Sequence, residues 1–136
     1  MLRACRRLLR PGGHIAFTTI VVAKGLSKVE HLRAARLGPR AVSTTRPLGV
    51  LMKAAGFQGI EVTDVTKDFI ETAQSWFDAF AARECELRPL FCDQFDDRQR
   101  GRLDMIVGTG EGLLRRLLVN ATAPPVKSRK GGRHGG

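Results

Sequence analysis

The pattern of apolar and polar residues along the chain predicts helices packed around a buried strand. Residues 8–22, LLRPGGHIAFTTIVV, join the end of a basic amphipathic helix to an apolar, β-branched run without an acidic residue. Pro11 cannot continue the helix, and Gly12 and Gly13 permit the positive φ angles of a tight turn. Residues 15–22 have few polar interruptions, which predicts a strand buried on both faces under helices. The pattern indicates α/β architecture.

Amphipathic helices are predicted on both sides of this strand. The apolar face of the first helix consists of Leu2, Cys5, Leu8 and Leu9. After the strand, Ser27 and Glu30 have the spacing of a capping box, which predicts a short helix through residue 36. A third helix is predicted to begin at Pro47 and to end at Gly56. Phe57 then supplies the apolar contact that accompanies a helix ending in glycine.

The next segment predicts a strand followed by a long helix. Residues 60–65, IEVTDV, alternate apolar and polar side chains, which is typical of a strand near a sheet edge with one wet face. Thr66 is the candidate N-cap of a helix over residues 67–83. One stripe of that helix contains Phe69, Ile70, Ala73, Trp76, Phe77 and Phe80. Helical spacing alone produces such a stripe, so we interpret it as core packing rather than as an aromatic ligand site.

The last third of the chain is less regular. Pro89 interrupts the helical pattern, and residues 91–107 are predicted to contain a further helix. Residues 113–121, LLRRLLVNA, fit a helix and a strand equally well by pattern alone. Residues 123–136 are rich in Pro, Gly, Lys and Arg, which predicts a disordered basic tail.

Length and charge limit the possible functions. The 136 residues suffice for one domain with a modest core. The net charge of +10 suggests nucleic acid or an anionic surface as a partner, but much of the excess lies in the first helix and the tail. The chain has no Tyr, seven Phe and one Trp, which leaves few rings for stacking bases. We therefore do not expect nucleic-acid binding, and keep a small basic binding module as the alternative.

Cysteines and hydropathy give the expected compartment. The three cysteines form no C-x-x-C pair, which indicates a reduced, cytoplasmic protein without a disulfide framework or a metal site. The apolar run over residues 15–23 is about half of the ~20 residues that a membrane helix needs, so no membrane association is expected. The acid-free, arginine-containing start resembles a transit peptide, but folded structure better explains a PGG turn before a strand.

Three glycines suggest a further hypothesis. Gly108, Gly110 and Gly112 follow the apolar residues 103–107, as in the strand, turn and helix start that bring backbone close to a nucleotide cofactor. Such a site needs another β-α-β unit with an acidic residue about 20 positions further on. No acidic residue follows Glu111. We therefore interpret the glycines as a flexible connection between a helix and the last strand, with a cofactor loop as the alternative.

Four segments, taken in order, resemble a known family. They are RRLLRPGGHIAFTTI, the LGP turn near Gly38, PLGVLMKAAGFQGIEVTDVTKDFIETAQSWFDAF, and EGLLRRLLVNA. Their order and spacing are similar to those of the C-terminal half of a class I S-adenosylmethionine-dependent methyltransferase. The likeness is to the type 11 and ubiquinone/menaquinone branch, which acts on small molecules. It covers residues 2–121 and excludes the tail.

The resemblance implies part of a Rossmann-like sheet. Residues 14–22 correspond to the family's fifth strand and residues 60–65 to its sixth. Residues 113–121 correspond to the seventh strand, which runs antiparallel between them. The implied boundaries are 1–122 for the methyltransferase-like part and 123–136 for the tail. In this family the glycines before the last strand have no cofactor role.

The family's cofactor segments lie before its fifth strand, and therefore upstream of Met1. The resemblance implies S-adenosylmethionine for the whole enzyme, but no cofactor-binding residue in this chain, and neither cofactor binding nor activity by the chain alone. The implied partners are a small-molecule methyl acceptor and the missing N-terminal half, on the same or on a separate polypeptide. Half a sheet also has an open edge, at which copies of the chain could self-associate.

The family's second half contains part of the substrate cavity, at the carboxyl end of the fifth strand and in the segment after it. The resemblance makes Thr18, Thr19, His31 and Trp76 the candidates for lining an acceptor pocket. His14 and His31 are candidate bases, but no catalytic residue is assigned. For each of these residues, packing or solvent exposure is the simpler alternative.

Overall fold

The computed structural model describes residues 1–39 and 47–125, and these contain six helices and three strands. In chain order they are α1 (Leu2–Leu8), β1 (His14–Val22), α2 (Lys28–Leu37), α3 (Leu48–Ala54), β2 (Gln58–Asp64), α4 (Thr66–Ala82), α5 (Glu84–Phe91), α6 (Gln94–Gly110) and β3 (Leu114–Thr122). The tail is predicted over residues 123–136, but Ala123 is buried and its amide and carbonyl bond to Gly13 and Gly12. Residues 126–136 lie outside the described residues.

The three strands form one sheet in the order β1-β3-β2. At one end of the β1–β3 pair the Ala23 amide donates to the Leu113 carbonyl at 2.9 Å, and at the other the Ala123 amide donates to the Gly13 carbonyl at 2.8 Å. The opposed numbering makes β3 antiparallel to β1. The predicted α/β class and the last strand lying between the other two are confirmed, and the ambiguous segment 113–121 forms the strand Leu114–Thr122.

By contacts within the chain, the described residues divide into two compact units. The first contains residues 1–17, 47–62 and 119–125, and the second contains residues 18–39 and 63–118. The buried residues of the first unit's core are Met52, Phe57, Val119 and Ala121. Those of the second unit's core are Ile20, Ala34, Leu113 and Leu114. Each unit therefore has its own hydrophobic cluster.

Two predictions about the first 22 residues are wrong. Leu8 is 86% exposed and does not share the apolar face of α1, whereas Leu2 and Leu9 pack against the first unit's core. The first half of β1 alternates, because Ile15 packs on that core while Ala16 is exposed. Helices of the first unit pack on only one face of this part of the strand, so its other face contacts solvent.

The signals for α2 and α3 are confirmed. The Ser27 hydroxyl accepts from the Glu30 amide at 3.2 Å, and the Glu30 carboxylate accepts from the Ser27 amide at 3.3 Å. These two bonds satisfy donors that the first turn of α2 leaves unpaired. Gly56 has a φ of +93°, which favours glycine, and it follows the end of α3. The buried Phe57 comes next, as predicted.

Two predictions about the ends of α4 and α5 are also wrong. Thr66 is the first residue of α4, not its N-cap, and its hydroxyl donates to the Asp64 carboxylate. Pro89 lies inside α5, which continues to Phe91. A proline removes one backbone donor, and α5 ends only two residues later at Phe91, before Cys92 with its φ of +48°. The expected helix within residues 91–107 is α6.

Candidate functional site

A chain of hydrogen bonds connects the end of β2 with the start of β3. The Asp64 carboxylate accepts from the Thr66 amide at 2.9 Å and from the Thr66 hydroxyl at 2.5 Å. The same hydroxyl accepts from the Arg116 amide at 2.9 Å. On its other oxygen, Asp64 accepts from the Arg115 guanidinium at 3.3 Å. Thr66 is buried, so these bonds satisfy polar groups that water cannot reach.

This bonding lowers the pKa of Asp64. Hydrogen bonds from the Thr66 hydroxyl and amide favour the charged carboxylate most, and the Arg115 charge and hydrogen bond add to them. Partial burial acts in the opposite direction but is outweighed. Asp64 therefore remains an ionised acceptor that holds Thr66 and the start of β3 in place.

Arg116 projects its guanidinium onto an aromatic ring. The guanidinium carbon lies 5.1 Å from the centroid of the Phe69 ring, and a guanidinium nitrogen donates to the Thr18 hydroxyl. Within residues 1–39 and 47–125, no carboxylate forms an ion pair with Arg116. We call Thr18, Phe69 and Arg116 the guanidinium site.

The guanidinium site joins the end of β2 and the start of β3 to Thr18 in the middle of β1. The Val65 amide, one residue beyond β2, donates to the Arg116 carbonyl at 2.9 Å, and the Leu113 carbonyl is bonded to Ala23, one residue beyond β1. Because β3 is antiparallel, its first residues lie where β1 and β2 end. Crevices outside the carboxyl ends of parallel strands are the usual ligand sites of such sheets.

The four predicted pocket residues are not brought together as one group. Thr18 is exposed and belongs to the guanidinium site, whereas Thr19 follows it in the strand, so its side chain points to the opposite face. His31 is half-buried on α2, and Trp76 is 56% exposed on α4 with its ring 5.8 Å from that of Phe80. In the described part of the chain, no recorded hydrogen bond or ring contact joins Thr19, His31 or Trp76 to Thr18. Their pocket role stays a prediction.

Of the two candidate bases, His14 is exposed at the start of β1, and His31 is the half-buried residue of α2 described above.

Arg116 was not among the predicted site residues. Its signal was available in the sequence, because LLRRLLVNA places two arginines inside an otherwise apolar segment. A strand of alternating faces requires one of the two to point toward each side of the sheet.

Arginines also lie over aromatic rings of α4 and α5. Arg102 lies 3.9 Å from the Phe80 ring centroid and Arg98 lies 4.7 Å from that of Phe91. Burial lowers the pKa of Arg102, and the neighbouring charge of Arg98 lowers it further. The predicted packing role of the stripe holds for Phe80, whose ring contacts those of Phe91 and Phe95. Trp76 remains largely exposed.

A shallow cavity of about 440 Å³ lies along α5 and is lined by Glu84, Cys85, Arg88, Pro89 and Cys92. Arg88 is already paired with Glu84 and with Asp96, and these bonds raise its pKa. Across residues 1–39 and 47–125, no three His, Cys, Asp or Glu side chains are grouped so that they could hold a metal ion. The same part of the chain contains no helix with the length and hydropathy of a membrane span.

The glycine segment does not have the geometry of a cofactor loop. Residues 103–107 belong to α6 rather than to a strand, and Gly110 is the last residue of that helix. A Cβ on Gly108 would lie 2.5 Å from the Leu114 Cδ1 atom. Gly112, with a φ of +76°, forms the turn into β3. These glycines serve helix packing and a tight turn, so they do not fit a nucleotide.

Comparison with solved structures identifies proteins that have a similar fold. A putative sarcosine dimethylglycine methyltransferase from Galdieria sulphuraria matches 90% of this chain with a TM-score of 0.70 at 19% identity. Phosphoethanolamine N-methyltransferase 2 from Haemonchus contortus, in complex with phosphomonomethylethanolamine and S-adenosylhomocysteine, also matches 90%, with a TM-score of 0.66 at 20% identity. The cyclopropane synthase MmaA2 from Mycobacterium tuberculosis matches 89%, with a TM-score of 0.62 at 11% identity. No protein-family model and no curated protein sequence matches the chain.

These matches establish the fold and its extent. The chain has the fold of part of the S-adenosylmethionine-dependent methyltransferases, as the sequence resemblance implied. It spans 46% of the Galdieria protein, 29% of the Haemonchus protein and 48% of MmaA2. More than half of each of these chains has no counterpart in the present one.

Proposed function

We propose that this chain is the C-terminal part of a cytoplasmic S-adenosylmethionine-dependent methyltransferase that acts on a small-molecule acceptor. The observation that carries the proposal is the strand order β1-β3-β2, with β3 antiparallel, in a chain that matches only 29–48% of its solved neighbours. The part that the neighbours have in addition would contain the cofactor site. It would be supplied by an upstream segment or by a separate polypeptide.

Methyl transfer requires little covalent chemistry from the protein. The acceptor atom must be held in line with the methyl group, and a base is needed only where the acceptor carries a proton to lose. In this proposal the chain contributes acceptor positioning through the guanidinium site, which reaches from the carboxyl end of β2 to the middle of β1. Thr18 and Arg116 are the residues that would contact the acceptor, whereas Thr19, His31 and Trp76 complete the pocket only if an added segment extends it to them.

The small-molecule acceptor is supported by what the neighbours are described as binding or modifying. One is in complex with a phosphorylated methylamine, and another is a putative sarcosine dimethylglycine methyltransferase. Their compounds are small and carry a phosphate or a carboxylate. The low identities transfer the fold rather than the substrate, so the acceptor of this chain must be established by experiment.

The decisive experiment compares cofactor binding with and without the proposed missing part. The in-frame sequence upstream of the Met1 codon is expressed together with the chain, and S-adenosylmethionine binding is measured by calorimetry. We expect binding by the extended protein and none by residues 1–136. If a stop codon lies directly upstream, the tagged chain is instead purified from its native cell to recover a second polypeptide. An extended protein or complex that does not bind the cofactor would contradict the proposal.

A fold of this type also supports other chemistry. The [4+2]-cyclase SpnF matches 91% of this chain with a TM-score of 0.59 at 19% identity. A cyclase would convert its substrate without consuming the methyl donor. Mass spectrometry of the product, which for methyl transfer gains one CH₂, separates the two activities once the cofactor-binding assembly is available.

The basic binding module is the second candidate function. Arg3, Arg7 and Arg10 are exposed in and after α1, and within the described ranges none of them forms an ion pair. A nucleic-acid ligand would release counterions, so its affinity would fall steeply as salt rises. We expect no DNA binding at moderate ionic strength. Tight binding that weakens linearly in a plot of log affinity against log salt would favour this alternative.

A further inference from the structure

Among residues 1–39 and 47–125, the guanidinium of Arg116 has no carboxylate partner, although it is held in a fixed position. Its neighbour Arg115 is paired with Asp64, whereas Arg116 meets only a ring and a hydroxyl in the described chain. We infer that Arg116 binds the carboxylate or phosphate group of an anionic small molecule, with Thr18 beside it. This inference rests on the proposed function in one respect, because the molecule would be the methyl acceptor.

The nearby acidic side chain is not available to Arg116. Asp64 accepts from the Thr66 amide, the Thr66 hydroxyl and Arg115, which occupies both of its oxygens. The Thr66 hydroxyl is in turn bonded to the Arg116 amide rather than to its guanidinium. The cluster therefore fixes the backbone of Arg116, and its carboxylate does not neutralise the side-chain charge of Arg116.

The guanidinium is also held in position before any ligand arrives. Its face lies over Phe69, one nitrogen donates to Thr18, and the main chain of Arg116 is bonded on both its amide and carbonyl sides. A guanidinium has five N–H donors, and its planar fork matches the two oxygens of a carboxylate or phosphate. Because the side chain is already ordered, binding costs less conformational entropy than it would for a mobile surface arginine.

Position supports the same conclusion. The Arg116 carbonyl accepts from the Val65 amide just beyond β2, and the carboxyl ends of such strands are the edge at which open α/β sheets bind ligands. Other arginines over rings, such as Arg88 and Arg98, lie instead on α5 and α6, and Arg88 is neutralised by two carboxylates. Arg116 combines an unpaired charge with this place in the sheet.

The test is an anion titration of the whole chain, in which binding is measured from the NMR chemical shifts of the backbone amides. Sodium phosphate and sodium acetate are the two probes, at an ionic strength held constant with sodium chloride. We expect saturable shifts at Thr18 and Arg116, with Arg116→Gln weakening the affinity about tenfold or more, as for loss of a charge-assisted hydrogen bond. Arg116→Lys keeps the charge but lacks the planar set of N–H donors. Its affinity should therefore lie between those of the wild type and of Arg116→Gln. A stronger response to phosphate than to acetate identifies a phosphate ligand, and the reverse identifies a carboxylate.

Arg100→Gln is the matched control, because it removes one positive charge from an exposed part of α6 and is expected to leave the titration unchanged. Shifts that do not saturate, or that are equal in wild type and Arg116→Gln, would overturn the inference. The Arg116→Lys protein keeps the test valid should the glutamine variant fail to fold.

In the methylating assembly, Arg116→Gln should raise KM for an anionic acceptor by about tenfold or more and leave kcat nearly unchanged, because the lost bond is made equally in ground and transition states. Failure of this inference and failure of the proposed function give different results. An assembly that methylates while the isolated chain shows no saturable anion binding overturns this inference alone. A chain that binds anions but belongs to no cofactor-binding assembly overturns the proposed function instead.

Discussion

Gly108 shows how strongly one side chain's size constrains this fold. It is buried in α6, and an added Cβ would lie 2.5 Å from the Leu114 Cδ1 atom and 3.0 Å from its Cγ atom. Leu114 is fully buried, so it has little space into which to move. Glycine is retained in a helix despite its low helix propensity because only glycine permits this contact.

The pair Gly108→Ala and Gly101→Ala measures that packing constraint. Both glycines lie in α6, but a Cβ at Gly101 would meet no atom within 4 Å. The helix-propensity gain of ~1 kcal/mol is common to both, whereas overpacking costs roughly 1–3 kcal/mol at Gly108 alone. We expect urea denaturation to show the Gly108 variant less stable than the Gly101 variant by that margin. Equal stabilities would contradict the close contact with Leu114.

The lowered pKa of Asp64 makes part of the stability pH-dependent. A carboxyl whose folded-state pKa lies below its ordinary value of 3.8 stabilises the fold above that value, and the contribution is lost as pH falls through the folded-state pKa. Asp64→Asn should therefore lose stability near pH 6, and the loss should become smaller as the pH falls below 3.8. The loss should stay within ~1 kcal/mol because the Arg115 pair is half-exposed. Glu61→Gln, in the same strand, is the control in paired urea titrations.

At the scale of elements, local signals were sufficient for α2 and α3 but insufficient for the burial of α1 and β1. The capping box of Ser27 and Glu30 and the final glycine of α3 act over a few residues, so the sequence contains the whole cause. Leu8 and the exposed half of β1 were mispredicted because burial depends on which elements pack against a face. Residues 103–107 belong to the helix predicted within residues 91–107, and the alternative of a strand before a cofactor loop arose because a short apolar run has no distinguishing period.

The guanidinium site also has one residue that the sequence predicted and one whose role depends on the rest of the fold. Thr18 was predicted through the family resemblance, since it lies in the strand that the PGG turn introduces. Arg116 was not, because its importance depends on Asp64 already being bonded to Thr66 and Arg115. No periodicity in the chain reveals which of two adjacent arginines lacks a carboxylate.

The capping box of α2 can be tested with one substitution. Ser27→Ala removes the hydroxyl that accepts from the Glu30 amide, leaving an N-terminal donor of α2 without its side-chain partner. We expect a loss of ~1 kcal/mol in the free energy of unfolding, typical of N-cap removal. Ser75→Ala, at an exposed interior position of α4, makes the same chemical change without a cap and should be neutral or slightly stabilising. A similar loss in both variants would contradict the capping role.

At the scale of the whole molecule, the outer side of β1 is the feature with the largest consequence. Among the described strands β1 borders only β3. Residues 13 and 23 bond to β3, so odd-numbered residues face it, and even-numbered ones such as Ala16 direct their backbone N–H and C=O groups toward the open side. The nine residues HIAFTTIVV contain no proline, lysine or acidic side chain that would discourage pairing. In the proposed enzyme the missing part would cover this edge.

In the isolated chain the same edge should pair with a second copy. Thr18 lies at the centre of β1, so two antiparallel copies can align around it with equivalent hydrogen bonds on both sides. We expect the weight-average mass in sedimentation equilibrium to rise above 14.9 kDa with concentration. Ala16→Lys places a charge on the edge and should keep the chain monomeric, whereas Ala54→Lys, on exposed α3, should associate like the wild type. Association that persists in Ala16→Lys would place the contact elsewhere than at β1.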